Sequence, residues 1–396
     1  MSEKILTAVA LQGGGALGAY EYGAVRALYE ARGHGFRPAV ITGISIGAIN
    51  AAVLAGSKNP IATLDKVWRE RLPVLATVPA PFKPLADLLI PHKAEELLSA
   101  LGNPSMYRLR PEYFLAPLLA PLLTASIYDT SPLHQTLKAE VDLGMLNSSC
   151  QVVVTAVDVE SGKLARFGNK SSWDAARTDT DRPFDNQEGL LSLEHVVASG
   201  SLPPGFPMTE IGGRFYWDGG LHSNTPLSEA INCLENCHDD GNGIKRELIV
   251  VELVPMAGEK PHNLKEVLSR FFNMIFASKL ELDTKLFKRY SDFVDLVDKI
   301  KLLLDEIDKD KESEERLNKA LNARSEGLTI DEIRHHSGIA ELIRHEKIDY
   351  FSMIPFTAGQ EFRNASDFST ASIEARIQSG HEAARRANVG RPQPVR

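Results

Sequence analysis

Ser45 lies in Gly43-Ile44-Ser45-Ile46-Gly47, a serine with glycine two residues before it and two after. An apolar, partly β-branched run (Ala39, Val40, Ile41) precedes the pentad, and a helix-like run (Ile49 to Leu54) follows it. A serine on a tight strand-to-helix turn is placed to act as a nucleophile. The flanking glycines remove side chains that would collide and tolerate unusual backbone angles. The hydroxyl then projects at a helix N-terminus, where the dipole favours developing negative charge. The structural alternative is a Gly/Ser turn that merely closes a βα unit.

A second element could serve such chemistry. Ile5 to Leu11 read as a short buried strand, followed by Gln12-Gly13-Gly14-Gly15-Ala16-Leu17-Gly18. Tyr22, Val25 and Leu28-Tyr29 then recur at helical spacing up to Gly33. A glycine loop between strand and helix leaves backbone N–H groups bare, a nest that binds an anion. Two anions fit. One is a nucleotide pyrophosphate, since Gly13, Gly15 and Gly18 match the dinucleotide fingerprint. The other is the oxyanion of a tetrahedral acyl intermediate. A dinucleotide site needs an acidic residue after the second strand, yet no Asp or Glu occurs between Glu30 and Asp65. The lysine of a phosphate loop is also missing after Gly18. The oxyanion reading is therefore preferred, and it expects the glycine loop and Ser45 on the ends of adjacent strands.

The third element is Tyr216-Trp217-Asp218-Gly219-Gly220, with Asn224 and Pro226 beyond it and a hairpin turn at Glu210-Ile211-Gly212-Gly213-Arg214 before it. Asp-Gly-Gly alone is a turn signature. Beside a serine elbow and an anion nest, Asp218 becomes the leading candidate for a general base.

The three motifs, in this order, resemble the patatin-like phospholipases. The likeness covers roughly residues 5 to 255 and extends to Ala198-Ser199-Gly200-Ser201-Leu202-Pro203. Tyr128-Asp129-Thr130-Ser131-Pro132-Leu133 and Asp367-Phe368-Ser369 suggest a bacterial branch with an extended C-terminal part. The resemblance implies a three-layer α/β/α fold with a central, mostly parallel sheet and a long helical C-terminal insertion. It also implies a Ser–Asp dyad without histidine: Ser45 attacks an ester carbonyl and Asp218 takes its proton. Backbone amides of Gly14, Gly15 and Ile46 would hold the oxyanion. Gly13, Gly18, Gly43, Gly47, Gly219 and Gly220 complete the motifs. No metal and no cofactor is implied. The implied substrate is a lipid ester, a phospholipid or a lysophospholipid. One position departs from the family pattern: Leu17 stands where a basic residue often precedes the last glycine of the loop. That weakens the case for anionic headgroups.

The rival hydrolase arrangement is the Ser-acid-His triad. His222, His238, His262, His335, His336, His345 and His381 follow Asp218, none in a recognisable context. That fold also usually places several strands before its serine, and here there are two. A different class of alternative is a patatin-like scaffold that binds lipid or a partner with little turnover.

Composition limits the partners. The chain has 396 residues, 43% hydrophobic and 24% charged, which is a globular composition. A net charge of −8 argues against nucleic acid and against general electrostatic docking to anionic membranes. Met1-Ser2-Glu3-Lys4 lead directly into the first strand, with no leader pattern, so a cytoplasmic protein, peripheral at a membrane at most, is expected. The uncharged run from Pro38 to Ser57 contains Gly43, Ser45, Gly47 and Asn50 and reads as strand-turn-helix rather than a membrane span. Three cysteines cannot all pair, which suits a reducing compartment. Cys233 and Cys237, expected on one helix beside His238, lack further metal ligands.

The chain is expected to form a single domain over residues 1 to 396. Residues 73–125 are a Pro/Leu-rich insertion, either an irregular insertion packed on the core or a lid or acyl-chain wall built from Leu88, Leu89, Ile90, Phe114, Leu118, Leu119, Leu122 and Leu123. Residues 262–326 are a charged helical insertion. Within it Leu286, Tyr290, Phe293, Val297, Ile300, Leu304 and Ile307 form a heptad seam that could pack on the body or serve as a homodimer contact. Residues 347–387 should supply the last strand and a closing helix.

Overall fold

The computed structural model describes residues 4–33, 35–75, 101–169, 184–186, 190–237, 244–254, 347–359 and 364–395, with isolated positions at 95, 98–99 and between 258 and 319. Its first half runs β1 (Ile5–Leu11), α1 (Gly18–Arg32), β2 (Val40–Gly43), α2 (Ile46–Ala55), α3 (Pro60–Lys66), β3 (Gly102–Asn103), β4 (Tyr107–Leu109), β5 (Tyr128–Asp129) and α4 (Ser131–Glu140). The second half runs β6 (Gln151–Asp158), β7 (Leu164–Gly168), α5 (Leu193–Ser199), β8 (Thr209–Ile211), β9 (Arg214–Asp218), α6 (Leu227–Glu235), β10 (Lys245–Val251), β11 (Tyr350–Ile354) and α7 (Thr370–Arg386).

The main sheet has the order β11-β10-β1-β2-β6-β9-β8, with β7 also paired to β6. Strands β11 through β6 are mutually parallel, while β7 and β9 run against β6. Parallel strands covered on both faces read as unbroken apolar runs, and all eight residues of β6 are buried. Alternation along the strands makes three layers. Val9, Leu11, Ile41, Val152 and Val154 enter the large core beneath α1, α2 and α7. Their neighbours Ala8, Ala10, Val40 and Val153 face the opposite side, against Leu227, Ala230 and Leu234 of α6. This is the expected α/β/α fold with a central, mostly parallel sheet.

The register positions the site. Leu11 of β1 is level with Gly43 of β2, so the glycine loop and the Ser45 turn leave the sheet side by side. Gly43 is level with Val154 of β6, and Ala156, two residues further on, pairs with Asp218 of β9. Ser45 also lies two residues beyond Gly43. The Ser45 turn and Asp218 therefore come to the same edge of the sheet from opposite chain directions.

The closing helix α7 packs along α1. A Cβ on Gly380 would lie 2.0 Å from the Tyr20 carbonyl oxygen, and one on Gly23 would lie 2.0 Å from that of Ile377. No larger residue allows this approach without the helices separating. The C-terminal segment is thereby held against the helix that opens in the glycine loop.

The residues of the heptad seam, Leu286 to Ile307, lie outside the described residues, as do Leu88, Leu89 and Ile90 of the Pro/Leu-rich segment. Helix α6 ends at Glu235, so Cys237 falls beyond it rather than on it. Among the described residues no cluster of His, Cys, Asp and Glu could hold a metal ion, and no helix is long and apolar enough to cross a membrane.

Candidate active site

Ser45 occupies the turn between β2 and α2 with φ 55° and ψ −123°, a left-handed conformation rare for a side chain with a Cβ. Such strain costs about 1–3 kcal/mol and persists only where surrounding structure enforces it. Two features enforce it here. A Cβ on Gly47 would lie 2.4 Å from the Leu11 carbonyl oxygen, so the turn seats directly on the end of β1. The Ser45 amide donates to the Ser199 carbonyl at 3.1 Å and to Ser199 Oγ at 3.0 Å. The serine is part-exposed, at the N-terminus of the ten-residue α2.

Asp218 ends β9 and is 2% exposed. Its Oδ1 accepts the Gly220 amide at 2.7 Å, and the Ser45 side chain stands near enough to favour its charged form. Burial pushes its pKa up to about 7, against the smaller downward pull of these two neighbours. The Asp218 amide donates to the Ser201 carbonyl at 3.0 Å. The turn after α5 thus holds Ser45 through Ser199 and Asp218 through Ser201. Gly219 and Gly220 form the 3-10 turn beneath the carboxylate.

The glycine loop stands against the same pair. The Cβ position of Gly13 lies 3.1 Å from Ser45 Cβ. Gly13 is tied to the far side of the site at both its polar groups: its amide donates to the Asn224 carbonyl at 3.3 Å, and its carbonyl accepts Asn224 Nδ2 at 3.0 Å. Gln12 is fully buried. Its Oε1 accepts the Leu253 and Val254 amides at 2.6 and 3.1 Å, and its Nε2 reaches Thr225 at 3.2 Å. Gly14 and Gly15 remain part-exposed, and their amides, like that of Ile46, have no acceptor among the described residues. Gly15 has φ +56° and packs so close to the Ala365 carbonyl that a Cβ would sit 2.5 Å from it. Gly43 ends β2 and Gly18 begins α1.

Several site residues carried no readable signal. Ser199 and Ser201 were visible only as part of a motif resemblance. Arg376 of α7 is fully buried behind the loop, donating to the carbonyls of Ala16 at 3.3 Å, Asp367 at 2.6 Å and Asn364 at 2.8 Å. Leu17 itself is buried in the core, so a cation approaches this loop from the C-terminal helix instead. Below the loop, Asn50 of α2 donates to Gly18 O and Glu21 and accepts from Trp68 Nε1, and burial holds the Glu21 carboxyl well above the usual range. No local pattern marks these residues, because each acts on a loop far away in the chain.

Among the described residues no histidine is hydrogen-bonded to Ser45 or Asp218, and His238, His335, His336 and His345 lie outside them. His222 is exposed, His195 is buried in the cap of α5, and His381 pairs with Glu30. A surface cleft of about 610 Å³ opens at the C-terminal end of α2, away from Ser45, and belongs to a different face.

The model of the patatin-like phospholipase family matches residues 9–231. The chain belongs to that family. Hydrolysis of lipid esters is the general activity that membership supports. VipD from Legionella pneumophila is a similar solved structure, 16% identical over 98% of this chain and 67% of that one, with a TM-score of 0.38. ExoU in complex with SpcU, from the type III secretion system of Pseudomonas aeruginosa, is another. It is 18% identical over 69% of this chain and 50% of that one, with a TM-score of 0.28. The patatin-like chain thus spans only about half the length of the second, and TM-scores this low say nothing of substrate or partner. No curated protein sequence matches the chain.

Proposed function

We propose that this patatin-like protein is a serine acyl hydrolase working through a Ser45–Asp218 dyad. Ser45 Oγ attacks the ester carbonyl while Asp218 takes its proton. The amides of Gly14, Gly15 and Ile46 receive the oxyanion. The alcohol leaves as Asp218 returns the proton, and Asp218 then activates the water that releases the acyl group. The observation that supports this reading is the Ser45 side chain beside a buried Asp218 carboxylate, close enough to pull its pKa down against burial. An exposed aspartate, with a pKa near 3.9, is too weak a base for a serine. A carboxyl pushed to about 7 is matched to proton transfer near neutral pH. The substrate is the carboxylic ester of a phospholipid or lysophospholipid, and a phospholipase A or lysophospholipase activity follows.

A fluorophosphonate probe tests the reading. It should label the wild-type protein and not Ser45→Ala. Hydrolysis of a short-chain aryl ester should fall by about 10³-fold or more in Asp218→Asn, with the fold intact. Absence of labelling in folded wild-type protein, with detergent present, would leave the scaffold reading instead.

A further inference from the structure

Strands β4 and β5 pair as Arg108↔Asp129 and Leu109↔Tyr128, and the chain between them makes a closed excursion. From Tyr113 to Ile127 that excursion contains no charged residue. Its large apolar side chains point to solvent: Phe114 is 65% exposed, Leu115 84%, Leu118 92%, Leu119 56%, Leu122 82% and Leu123 67%. Together they form a patch on the order of several hundred Å², where a monomer normally scatters such residues singly.

Part of the backbone of this excursion is hydrogen-bonded from within. The amides of Tyr113, Phe114, Leu115, Ala116, Leu119, Ala120, Leu122 and Thr124 all donate to carbonyls between Arg110 and Ala120. Positions 117 and 121 are proline and have no amide to satisfy. The Thr124 hydroxyl also donates to the Ala120 carbonyl. Shallow insertion at the boundary of headgroups and acyl chains needs exposed apolar side chains and leaves the remaining backbone groups within reach of water. A protein groove asks for something different, either a continuous helix face or an open strand edge. Here Pro117 and Pro121 leave only single helical turns, Glu112–Leu115 and Ala120–Leu123.

Charge appears where the excursion meets the body. Arg108 is exposed and bridges to Asp129 at 2.6 Å, and Arg110 Nε donates to Ser126 at 3.0 Å. Cations at this level would meet lipid phosphates while the leucines lie deeper. The stem is also rigid and close to the chemistry. The Ile127 and Tyr128 amides donate to the Pro204 and Gly205 carbonyls at 3.1 and 2.9 Å, and the rings of Tyr107, Tyr128 and Phe206 pack together. Residues 204 and 205 follow directly on the Ser199–Ser201 turn that holds Ser45 and Asp218.

We infer that residues 113–123 insert into a lipid surface and set the height of the active site above it. The inference rests on the lipid-ester reading of the site and names its docking device. Insertion is driven by apolar burial rather than by the protein's net charge of −8, so zwitterionic lipid suffices and salt has little effect.

The test is co-sedimentation of the full chain with phosphatidylcholine vesicles at low and high salt. The wild type should bind at both. Leu118→Asp/Leu122→Asp, altered at exposed positions, should keep its thermal unfolding and its hydrolysis of a soluble aryl ester, while its partition to vesicles falls by about 100-fold or more. Leu118→Trp should shift its emission to the blue on vesicle addition. Ser45→Ala should bind like wild type, so a failed dyad and a failed docking loop give different results. Equal binding by the double variant, or no binding by a wild type active on the aryl ester, overturns the inference. So does loss of self-association, rather than of vesicle binding, in the double variant.

Discussion

Replacing Asp218 by asparagine should inactivate the protein and stabilise it, with a pH dependence that follows from the carboxyl's burial. The ordinary value of this carboxyl is 3.8, and in the folded protein it rises to about 7. Below the lower value the group is protonated in both folded and unfolded chains, and no penalty arises. Between the two values the unfolded chain releases a proton that the folded one keeps. Stability then falls with rising pH by about 1.4 kcal/mol per unit. Above about pH 7 the loss is complete, at about 4 kcal/mol. Asparagine mimics the protonated carboxyl and escapes this titration. The advantage of Asp218→Asn over wild type should therefore grow by about 3 kcal/mol between about pH 5 and pH 8. Urea unfolding of both proteins at those two pH values measures it. The activity of the wild type should follow the same group, falling about tenfold per unit below about pH 7. Unfolding free energies that stay parallel across the range would refute the burial argument. So would a pH–rate profile still flat at about pH 5.

Gly380→Ala places a methyl group 2.0 Å from the Tyr20 carbonyl oxygen and should force α1 and α7 apart. A loss of about 3 kcal/mol is expected in urea unfolding, with aryl-ester hydrolysis reduced because α1 opens in the glycine loop. Arg376→Met removes the donors that fix the Ala16, Asp367 and Asn364 carbonyls. Stability should fall by about 3 kcal/mol. In steady-state kinetics kcat should drop about tenfold or more with little change in KM, as expected if the loop receives the oxyanion as proposed.

The beginning of the fold was legible because its signals are local. β1, α1, β2 and α2 follow one another with short connections, and their apolar periods and glycine stops mark them residue by residue, Gly33 at the end of α1 included. The hairpin of β6 and β7, the turn at Gly212-Gly213 and the closing helix α7 were readable for the same reason. The 3-10 turn at Gly219–Leu221 follows from the Asp-Gly-Gly signature. Cys237 was misplaced onto α6 because nothing in the adjacent residues marks the helix end at Glu235.

What the sequence determined by itself is the local backbone. A glycine on either side of Ser45 permits the strained elbow, and a run of glycines leaves amides free. What only the tertiary structure decided is which of these pieces meet. β10 pairs with β1 and β11 with β10 from late in the chain, and antiparallel pairing of β9 with β6 brings Asp218 to the sheet edge that Ser45 leaves. Ser199 and Ser201 hold the two, while Ala365 and Arg376 brace the glycine loop from a segment beyond the family match. The reason is physical: dihedral preference and apolar period act over a few neighbouring residues. Strand register and the burial of a carboxyl instead depend on the whole packed core.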